Sequence, residues 1–257
     1  MNIKTWKAFS KQVRNKDIKF LKELNQYNGA ILVGGCQRSG TTMISDIIMR
    51  GDGVSDLSGP DKELNSALAL SGFLSLDKNV RYCFQTTYVN ERYDEYFKYW
   101  SDNKMVWMIR NPCSVVYSLT RFSERFCLDE LFLGCGQFMM DDMDRSKFNK
   151  LGLWSLDRIR MACYSYNSKA NQALAIIDNL GADNVFVIDY DELVRDKHKI
   201  LASLFGFLGV SYNADLADAI SDKSVGKANN LSKKNISLIC ELSGGYYSQV
   251  RRLVSAR

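Results

Sequence analysis

The sequence is poor in the residues that build metal centres and disulfide frameworks. Its single histidine, His198, has no histidine or cysteine partner at the spacings typical of zinc sites. The seven cysteines are an odd number and form no CxxC pair, which is typical of a reducing compartment rather than of a disulfide framework. We therefore expect no bound metal ion and no structural disulfide.

Long apolar runs and linkers are missing as well. No segment is apolar over the length of a membrane span, and the basic N-terminus lacks the apolar stretch of a signal peptide. No Pro/Gly/Ser-rich linker or internal repeat interrupts the chain, and 46% hydrophobic residues are enough for a substantial core. We expect a cytoplasmic protein with a single domain over residues 1–257. Residues 1–26 are predicted to form an amphipathic helix packed on that domain.

The net charge of +5 is modest for a chain of this length. Its lysines and arginines are dispersed, whereas nucleic-acid-binding proteins usually concentrate them in a stripe with interleaved aromatic residues. We therefore expect no nucleic-acid partner. The excess positive charge is assigned to the N-terminal helix and to a site for an anionic nucleotide.

A glycine-rich loop lies between an apolar run and a helical pattern. Residues 34–42 read Gly-Gly-Cys-Gln-Arg-Ser-Gly-Thr-Thr and follow the apolar run 30–33. A strand, glycine loop and helix in this order bind phosphate, because loop N–H groups and the helix N-terminus point at one anion. A nucleotide P-loop has a lysine after its last glycine, but here Thr41 follows Gly40, and the only cation of the loop is Arg38. The loop is predicted to bind phosphate without being an ordinary ATPase loop.

A second apolar run, residues 105–109, ends in a cation. In P-loop ATPases and kinases such a strand usually ends in an Asp that helps to hold magnesium, but here Arg110 follows. Pro112 begins a predicted helix, and two turns of it can bring the Ser118 hydroxyl back beside the Arg110 guanidinium. This pair is predicted to clamp a second phosphate group. Ligands that have phosphate-like groups at both ends form a narrow class.

These motifs resemble those of the sulfotransferases that use 3′-phosphoadenylyl sulfate (PAPS). Residues 35–42 are similar to the 5′-phosphosulfate loop of that family, and residues 110–118 are similar to its 3′-phosphate motif. Two weaker similarities follow in the right order, at residues 187–209 and at residues 224–232. The resemblance implies PAPS as co-substrate and adenosine 3′,5′-bisphosphate (PAP) as product.

The resemblance also implies roles for individual residues. The implied nucleotide-binding residues are Arg38, Ser39, Gly40, Thr41 and Thr42 at the phosphosulfate, Arg110 and Ser118 at the 3′-phosphate, Tyr190 at the adenine, and Ser224, Gly226 and Lys227 in a C-terminal segment that closes over the nucleotide. Arg38 and the amides at the start of the helix would also stabilise the negative charge that grows on the leaving group.

Sulfuryl transfer also needs a base that takes the proton of the acceptor. The cytosolic branch of the family uses a histidine just after the second strand. Here residues 84–87 read Phe-Gln-Thr-Thr, so both that histidine and the lysine two residues before it are missing. Residues 60–64, Pro-Asp-Lys-Glu-Leu, are similar to the Lys-Glu motif of the carbohydrate sulfotransferases. We predict Glu63 as the base, with Asp61 as the alternative, and Lys62 at the leaving group. Acidic residues are also common in a first helical turn for the helix dipole alone.

Four apolar runs, near residues 30–34, 81–85, 105–109 and 184–189, are predicted to form strands. Helical patterns lie near residues 41–50, 61–71, 90–101, 112–126, 154–179, 191–208 and 232–243. Strands connected by helices form a parallel sheet that is covered on both faces. The sequence therefore predicts an α/β domain with a central parallel sheet flanked by helices, the P-loop-like sulfotransferase fold, with its ligands at the carboxyl ends of the strands.

The acceptor is the least determined part of the prediction. Residues 127–153 are predicted to form an irregular, Met-rich insert, and the resemblance implies that this region shapes the acceptor pocket. Its acidic residues Asp141, Asp142 and Asp144 favour a cationic acceptor. The predicted function is transfer of a sulfuryl group from PAPS to a hydroxyl or amine of a small molecule. The alternatives are a nucleotide kinase or NTPase with a degenerate loop, and a non-catalytic nucleotide-binding relative.

Overall fold

A sheet of four parallel strands forms the centre of the protein. The computed structural model describes residues 3–57, 59, 61–122 and 125–254. The strands are β1 (Ile31–Gly35), β2 (Cys83–Gln85), β3 (Lys104–Ile109) and β4 (Val185–Asp189), and their order across the sheet is β2-β1-β3-β4. All three neighbouring pairs are parallel, which confirms the predicted α/β class.

Helices connect the strands and cover the sheet. Within the described residues they are α1 (Trp6–Lys16), α2 (Thr41–Ile48), α3 (Lys62–Leu70), α4 (Glu95–Tyr99), α5 (Pro112–Arg121), α6 (Arg125–Gly134), α7 (Asp142–Leu151), α8 (Arg158–Leu180), α9 (Tyr190–Arg195), α10 (Lys197–Leu208) and α11 (Lys233–Val254). None of the helices in this part of the chain is both long enough and apolar enough to cross a membrane.

Several predicted helices differ in length from those observed. The helix predicted over residues 90–101 is only the short α4, and the helix predicted over residues 112–126 ends at Arg121. The helix predicted over residues 1–26 is only α1, because Asp17 takes a left-handed conformation (φ 47°) and ends it. The helix predicted over residues 191–208 is interrupted at Asp196, between α9 and α10. The C-terminal helix α11 continues beyond the predicted end at residue 243. Pro60 of the predicted base motif, residues 123 and 124 of a predicted helix, and the ends 1–2 and 255–257 lie outside the described residues.

Residues 127–153 are mostly helical, so the prediction of an irregular insert was wrong. Helices α6 and α7 occupy most of this segment, with a short 3-10 turn between them. The glycines that suggested a loop lie at the boundaries of these elements, with Gly134 at the end of α6 and Gly136 at the start of the turn. Helix α7 is capped by Asp141, whose side chain accepts a hydrogen bond from the Asp144 amide at 2.8 Å.

The strands alternate between two apolar layers, as expected for a sheet covered on both faces. Leu32, Met105 and Trp107 face a layer that includes residues of α1, α3 and α8. Val33 and Val106 face the opposite layer, which includes residues of α2 and α10. Because both faces of the sheet are covered, a ligand can contact the strands at their carboxyl ends.

Two glycines allow the loop after β1 to approach its neighbours closely. A Cβ atom on Gly35 would lie 2.5 Å from the Met108 carbonyl oxygen in the adjacent strand β3. A Cβ atom on Gly40 would lie 2.6 Å from Cδ2 of Tyr190 at the end of β4. Larger residues at these two positions would push the loop away from the strand ends that surround it.

Gly35→Ala should therefore be strongly destabilising. Its φ of 138° disfavours a side chain, and the collision with a backbone oxygen adds to that cost. We expect a loss of roughly 2–4 kcal/mol of unfolding free energy, measured by urea denaturation. Gly53→Ala is the matched control, because Gly53 also has a positive φ (77°) but has no atom within 4 Å of its added Cβ. Equal losses in the two variants would contradict the close approach.

Candidate active site

The loop between β1 and α2 contains a strained arginine. Gly40 (φ 92°) forms the N-cap of α2, and Arg38 adopts φ 72°, a left-handed conformation that is unusual for a residue with a side chain. Such a residue costs about 1–3 kcal/mol and is typical of ligand-binding sites, where surrounding contacts hold it in place. Thr41 and Thr42 form the first turn of α2, whose N–H groups have no partner inside the helix.

The Arg38 side chain connects this loop to α5. Its Nε donates a hydrogen bond to Ser118 Oγ at 2.9 Å, and its guanidinium lies 4.7 Å from the centre of the Phe122 ring. The sequence predicted that Ser118 lies beside Arg110, but the observed partner of its hydroxyl is Arg38. The loop residue and the residue of the predicted 3′-phosphate motif are therefore already in contact.

Arg110 lies at the end of β3 and connects three segments. Its guanidinium donates to the Arg38 carbonyl at 3.4 Å and to the Ser224 carbonyl, and it packs 4.2 Å from the centre of the Tyr190 ring. Only 5% of Arg110 is exposed, and its Nε is buried without a partner among the described residues. A buried charged donor without a partner is costly, so this nitrogen suits an anionic ligand.

Tyr190 and the segment after residue 220 surround this arginine. The Tyr190 ring is buried between Gly40 and Arg110, and its hydroxyl donates to the Ser221 carbonyl at 3.4 Å. In the same segment Lys227 donates to Ser224 Oγ at 3.3 Å, and Gly226 turns the chain with φ 77°. The segment thus lies against Arg110, as a closing segment would, while an adenine contact of Tyr190 stays a prediction.

Ser39 is buried behind the loop, and its hydroxyl has no hydrogen-bond partner among the described residues. Its side chain is fully buried and lines a small internal cavity together with Lys169 and Tyr166, behind the loop. Its amide donates to the Cys36 carbonyl at 3.2 Å. Ser39 therefore stabilises the turn of the loop, and its phosphate contact stays a prediction.

Glu63, in the first turn of α3, is connected to the loop through Gln85. The Gln85 amide nitrogen donates to Glu63 Oε2 at 3.1 Å and also lies 3.2 Å from Thr42 Oγ1. The Thr87 hydroxyl donates to the other oxygen, Glu63 Oε1. Burial, with a smaller contribution from the Asp61 carboxyl, raises the pKa of Glu63 to about 7, against the lowering effects of the Thr87 hydrogen bond and the Lys169 charge. A carboxyl with a pKa near neutrality is suited to general-base catalysis at neutral pH.

The neighbours of Glu63 have other roles in the structure. Asp61 caps α3 through the Leu64 amide at 2.9 Å and accepts a hydrogen bond from the Trp6 indole at 3.0 Å. Lys62 lies 3.0 Å from both Asp46 and Asp56, and these two carboxylates raise its pKa. The arrangement argues against the predicted role of Lys62 at the leaving group and leaves Glu63 as the better-placed base.

A cavity of about 350 Å³ opens beside Glu63. Its walls come from α1, from the segment after β2 and from α6, and they include Trp6, Phe9, Tyr88 and Leu131. Residues of α6 therefore contribute to the cavity, whereas α7 does not line it. The position of the cavity next to a candidate base makes it the candidate acceptor pocket.

The acidic cluster that suggested a cationic acceptor is part of the internal structure. Asp144 is buried and lies 2.8 Å from the Arg160 guanidinium, and Tyr164 donates hydrogen bonds to both Asp144 and Asp141. Asp142 is exposed in the first turn of α7 and does not line the cavity. These contacts account for the cluster without a ligand.

Comparison with known proteins agrees with this geometry. A family model described as a sulfotransferase domain matches residues 28–237. The chain belongs to the sulfotransferase family. No curated protein matches the chain.

Several solved sulfotransferases share the fold. The chain is 14% identical to the sulfotransferase domain from the curacin biosynthetic pathway, over 89% of this chain and 98% of that one (TM-score 0.55). It is 13% identical to a sulfotransferase from Alicyclobacillus acidocaldarius, over 89% and 96% (TM-score 0.55). It is 16% identical to mouse sulfotransferase SULT7A1 complexed with PAP, over 93% of both chains (TM-score 0.54). At these identities the similarity shows the fold alone.

Sequence reasoning missed three residues near Glu63, the candidate base. Gln85 and Thr87 were noted only for the lysine and histidine that are absent there, although they lie at and just after the end of β2. Lys169 is buried in the middle of α8 and donates to the Thr87 and Val89 carbonyls at 2.8 and 3.0 Å. A lysine inside a long helix is usually exposed, so no sequence signal marked it.

Glu63→Gln should change how the stability of this sulfotransferase depends on pH. The pKa of Glu63 is about 7 in the folded state and near its ordinary value of 4.5 when unfolded, so the folded state binds this proton more tightly. The wild type therefore loses stability as pH rises from about 4.5 to 7, and the variant avoids this loss. The difference in Tm, Glu63→Gln minus wild type, should therefore be about 2–6 °C larger at pH 8 than at pH 5.

The control for this measurement is Glu241→Gln, because Glu241 is exposed on α11. Its Tm relative to wild type should be the same at both pH values. A Tm difference for Glu63→Gln that does not change with pH would contradict a buried carboxyl that ionises near neutrality.

Proposed function

We propose that this sulfotransferase moves the sulfuryl group of PAPS to a hydroxyl or amine of a small molecule, with Glu63 as the base. The observation that carries the proposal is the position of Gln85. Its amide nitrogen donates a hydrogen bond to Glu63 at 3.1 Å and lies 3.2 Å from the Thr42 hydroxyl at the start of α2. This link holds the candidate base next to the phosphate-binding loop, so a nucleophile at Glu63 would be close to a sulfuryl group bound there.

The proposed step is an in-line displacement at sulfur. The acceptor oxygen or nitrogen forms a bond to sulfur, the bond from sulfur to the bridging oxygen of PAPS breaks, and PAP leaves with that electron pair. The acceptor proton goes to a Glu63 carboxylate oxygen. Arg38 and the N–H groups of Thr41 and Thr42 would stabilise the charge that develops on the leaving phosphate.

Arg110 would bind the other end of the nucleotide, the 3′-phosphate. Its buried Nε has no hydrogen-bond partner among the described residues. The kinase alternative expects a metal-binding carboxylate at this strand end, and an arginine cannot take that role. The cytoplasmic location stays a prediction.

Transfer of labelled sulfate tests the function directly. The protein is mixed with ³⁵S-PAPS and a metabolite extract for a single turnover. We expect the label to appear in a small molecule even when EDTA is present. Glu63→Gln should lose about 10²–10⁴-fold in rate, the usual contribution of a positioned base, while PAP affinity stays unchanged. The wild-type rate should fall as pH drops below about 7, because Glu63 becomes protonated, and the variant should lack this dependence.

The control variant is again Glu241→Gln, which should transfer label at the wild-type rate. Transfer from ATP that requires magnesium would move the chain to the kinase class. Binding of PAP without any transfer would favour the non-catalytic alternative. Near-normal transfer by Glu63→Gln would point to Asp61 or to an acceptor amine that needs no base.

Arg110→Ala should weaken PAP but not adenosine 5′-phosphate, which lacks the 3′ group. Each charge-assisted hydrogen bond is worth roughly 1.5–3 kcal/mol, so PAP affinity should fall at least about tenfold by calorimetry. Arg121→Ala, which removes an exposed arginine at the end of α5, is the control and should leave both affinities unchanged. Equal weakening of the two ligands by Arg110→Ala would contradict the 3′-phosphate assignment.

A further inference from the structure

Side chains of α8 hold the backbone of the segment after β2. The Lys169 ammonium donates hydrogen bonds to the Thr87 and Val89 carbonyls at 2.8 and 3.0 Å. One turn further along α8, the Gln172 amide donates to the Asn90 carbonyl at 2.8 Å. This backbone lies outside the helices and strands, so its carbonyls depend on side-chain donors of this kind.

The charge of Lys169 is not needed for these hydrogen bonds alone. Gln172 bonds the same segment with an uncharged amide, although the two residues are almost equally buried, with 2% of Lys169 and 3% of Gln172 exposed. Removing an ammonium group from water costs far more free energy than removing an amide. A buried lysine at this place therefore indicates that a nearby group interacts with its positive charge.

Thr87 connects Lys169 to the candidate base. The Thr87 carbonyl accepts the hydrogen bond of the lysine, and the Thr87 hydroxyl donates to Glu63 Oε1. The same carbonyl also accepts a hydrogen bond at 3.1 Å from Gln37 in the glycine loop. Helix α8, the first turn of α3 and the glycine loop therefore meet at one residue, and Lys169 is the buried donor that fixes this residue from the side of α8.

The charges of Lys169 and Glu63 act on each other. Burial raises the pKa of Glu63, and Lys169 is among the groups that lower it. Burial lowers the pKa of Lys169, whereas Cys135, Cys36 and Glu63 raise it. Because unlike charges stabilise each other in a buried site, loss of the lysine should favour the protonated form of Glu63.

Other ionisable groups around Glu63 do not replace this cation. They are Asp61 at the start of α3, Tyr88 after β2, Tyr96 of α4, and Arg14, Glu91 and Glu130 in the wall of the cavity. Burial raises the pKa of both tyrosines, so they stay uncharged near pH 7. Arg14 is paired with Glu130. The remaining carboxyl groups carry the same sign of charge as Glu63 and disfavour its ionisation.

We propose that Lys169 is a positioning residue for Glu63: it holds Thr87 so that the Thr87 hydroxyl stays on the carboxyl while Gln37 keeps the glycine loop against the same carbonyl. Because Lys169 is buried, it acts through Thr87 and not on a substrate. Its charge acts in the same direction, since a nearby cation favours the carboxylate form that accepts a proton. The inference rests on the proposed function for the role of Glu63 as base, but the ionisation of Glu63 can be measured without turnover.

Lys169→Met tests this role, because it keeps most of the side-chain volume and removes both the charge and the N–H donors. The ionisation of Glu63 is followed by ¹³C NMR of the full chain labelled at its glutamate carboxyl groups, and the signal missing from Glu63→Gln identifies Glu63. We expect the midpoint of this titration, about 7 in the wild type, to rise by at least about half a pH unit in Lys169→Met. Loss of the charge and loosening of the Thr87 hydroxyl both act in this direction.

The matched control is Gln172→Met, which also removes a buried donor to the same segment from the same helix but removes no charge. It should lower the free energy of unfolding in urea and leave the Glu63 midpoint at about 7. Thr87→Val removes the hydroxyl that donates to Glu63. When Thr87→Val is already present, Lys169→Met should raise the midpoint by less than it does in the wild type, because the connection between the two residues is then missing.

The outcomes separate this inference from the proposed function. A raised midpoint in Lys169→Met supports the inference even if no sulfate is transferred, and that absence would contradict only the function. If sulfate is transferred, the fall of the rate at acid pH should move with the midpoint. A rate profile that stays in place while the midpoint moves would contradict Glu63 as the base.

Three results would overturn the inference whether or not transfer occurs. They are a midpoint that stays at about 7 in Lys169→Met, an equal rise in Gln172→Met, and an undiminished effect of Lys169→Met in the presence of Thr87→Val. If Lys169→Met does not fold, Lys169→Gln, which keeps two N–H donors without the charge, takes its place. Failure of both variants to fold would make Lys169 a purely structural residue and would overturn the inference as well.

Discussion

The contacts of the buried Arg110 guanidinium hold together the end of the candidate site that we propose for the nucleotide. It joins the end of β3 to the Arg38 carbonyl in the glycine loop, to the Ser224 carbonyl in the segment after β4, and to the Tyr190 ring. A charge buried to this degree is stable only where donors and acceptors surround it. The site is thus assembled around one cation that keeps one nitrogen, Nε, without a partner in the described chain.

The catalytic end is organised by a second set of buried polar groups, centred on Thr87. Its hydroxyl donates to Glu63, and its carbonyl accepts from Lys169 at 2.8 Å and from Gln37 at 3.1 Å. Gln37 belongs to the glycine loop, so the segment after β2 positions the loop and the carboxyl together. Burial raises the pKa of Glu63 while Thr87 lowers it, and the balance leaves a carboxyl that ionises near pH 7.

This network also bears on two residues that are common in the family and missing from this chain. At the position where the family often has a lysine, this chain has Gln85. Its uncharged amide donates a hydrogen bond to Glu63 and lies near two hydroxyls of α2. A lysine there would pair with Glu63 and lower its pKa. An amide at this position is therefore consistent with the proposed carboxylate base near neutrality, and in the proposed mechanism the leaving group would depend mainly on Arg38.

The sequence by itself determined the sheet, the loop and the order of the strand ends. Continuous apolar runs locate β1, β3 and β4 to within one or two residues, because a strand buried on both faces must be apolar throughout. Glycine spacing and the cation at residue 110 pointed to the loop and the strand end that meet at the candidate site, because few backbones can approach an anion closely. What tertiary structure decided was every long-range pairing. Arg38 with Ser118, Trp6 with Asp61, and Lys62 with two carboxylates join residues far apart or with several equivalent choices, and no local pattern specifies such partners. The aromatic cavity beneath α1 follows from those pairings, since its walls meet only when the chain has folded.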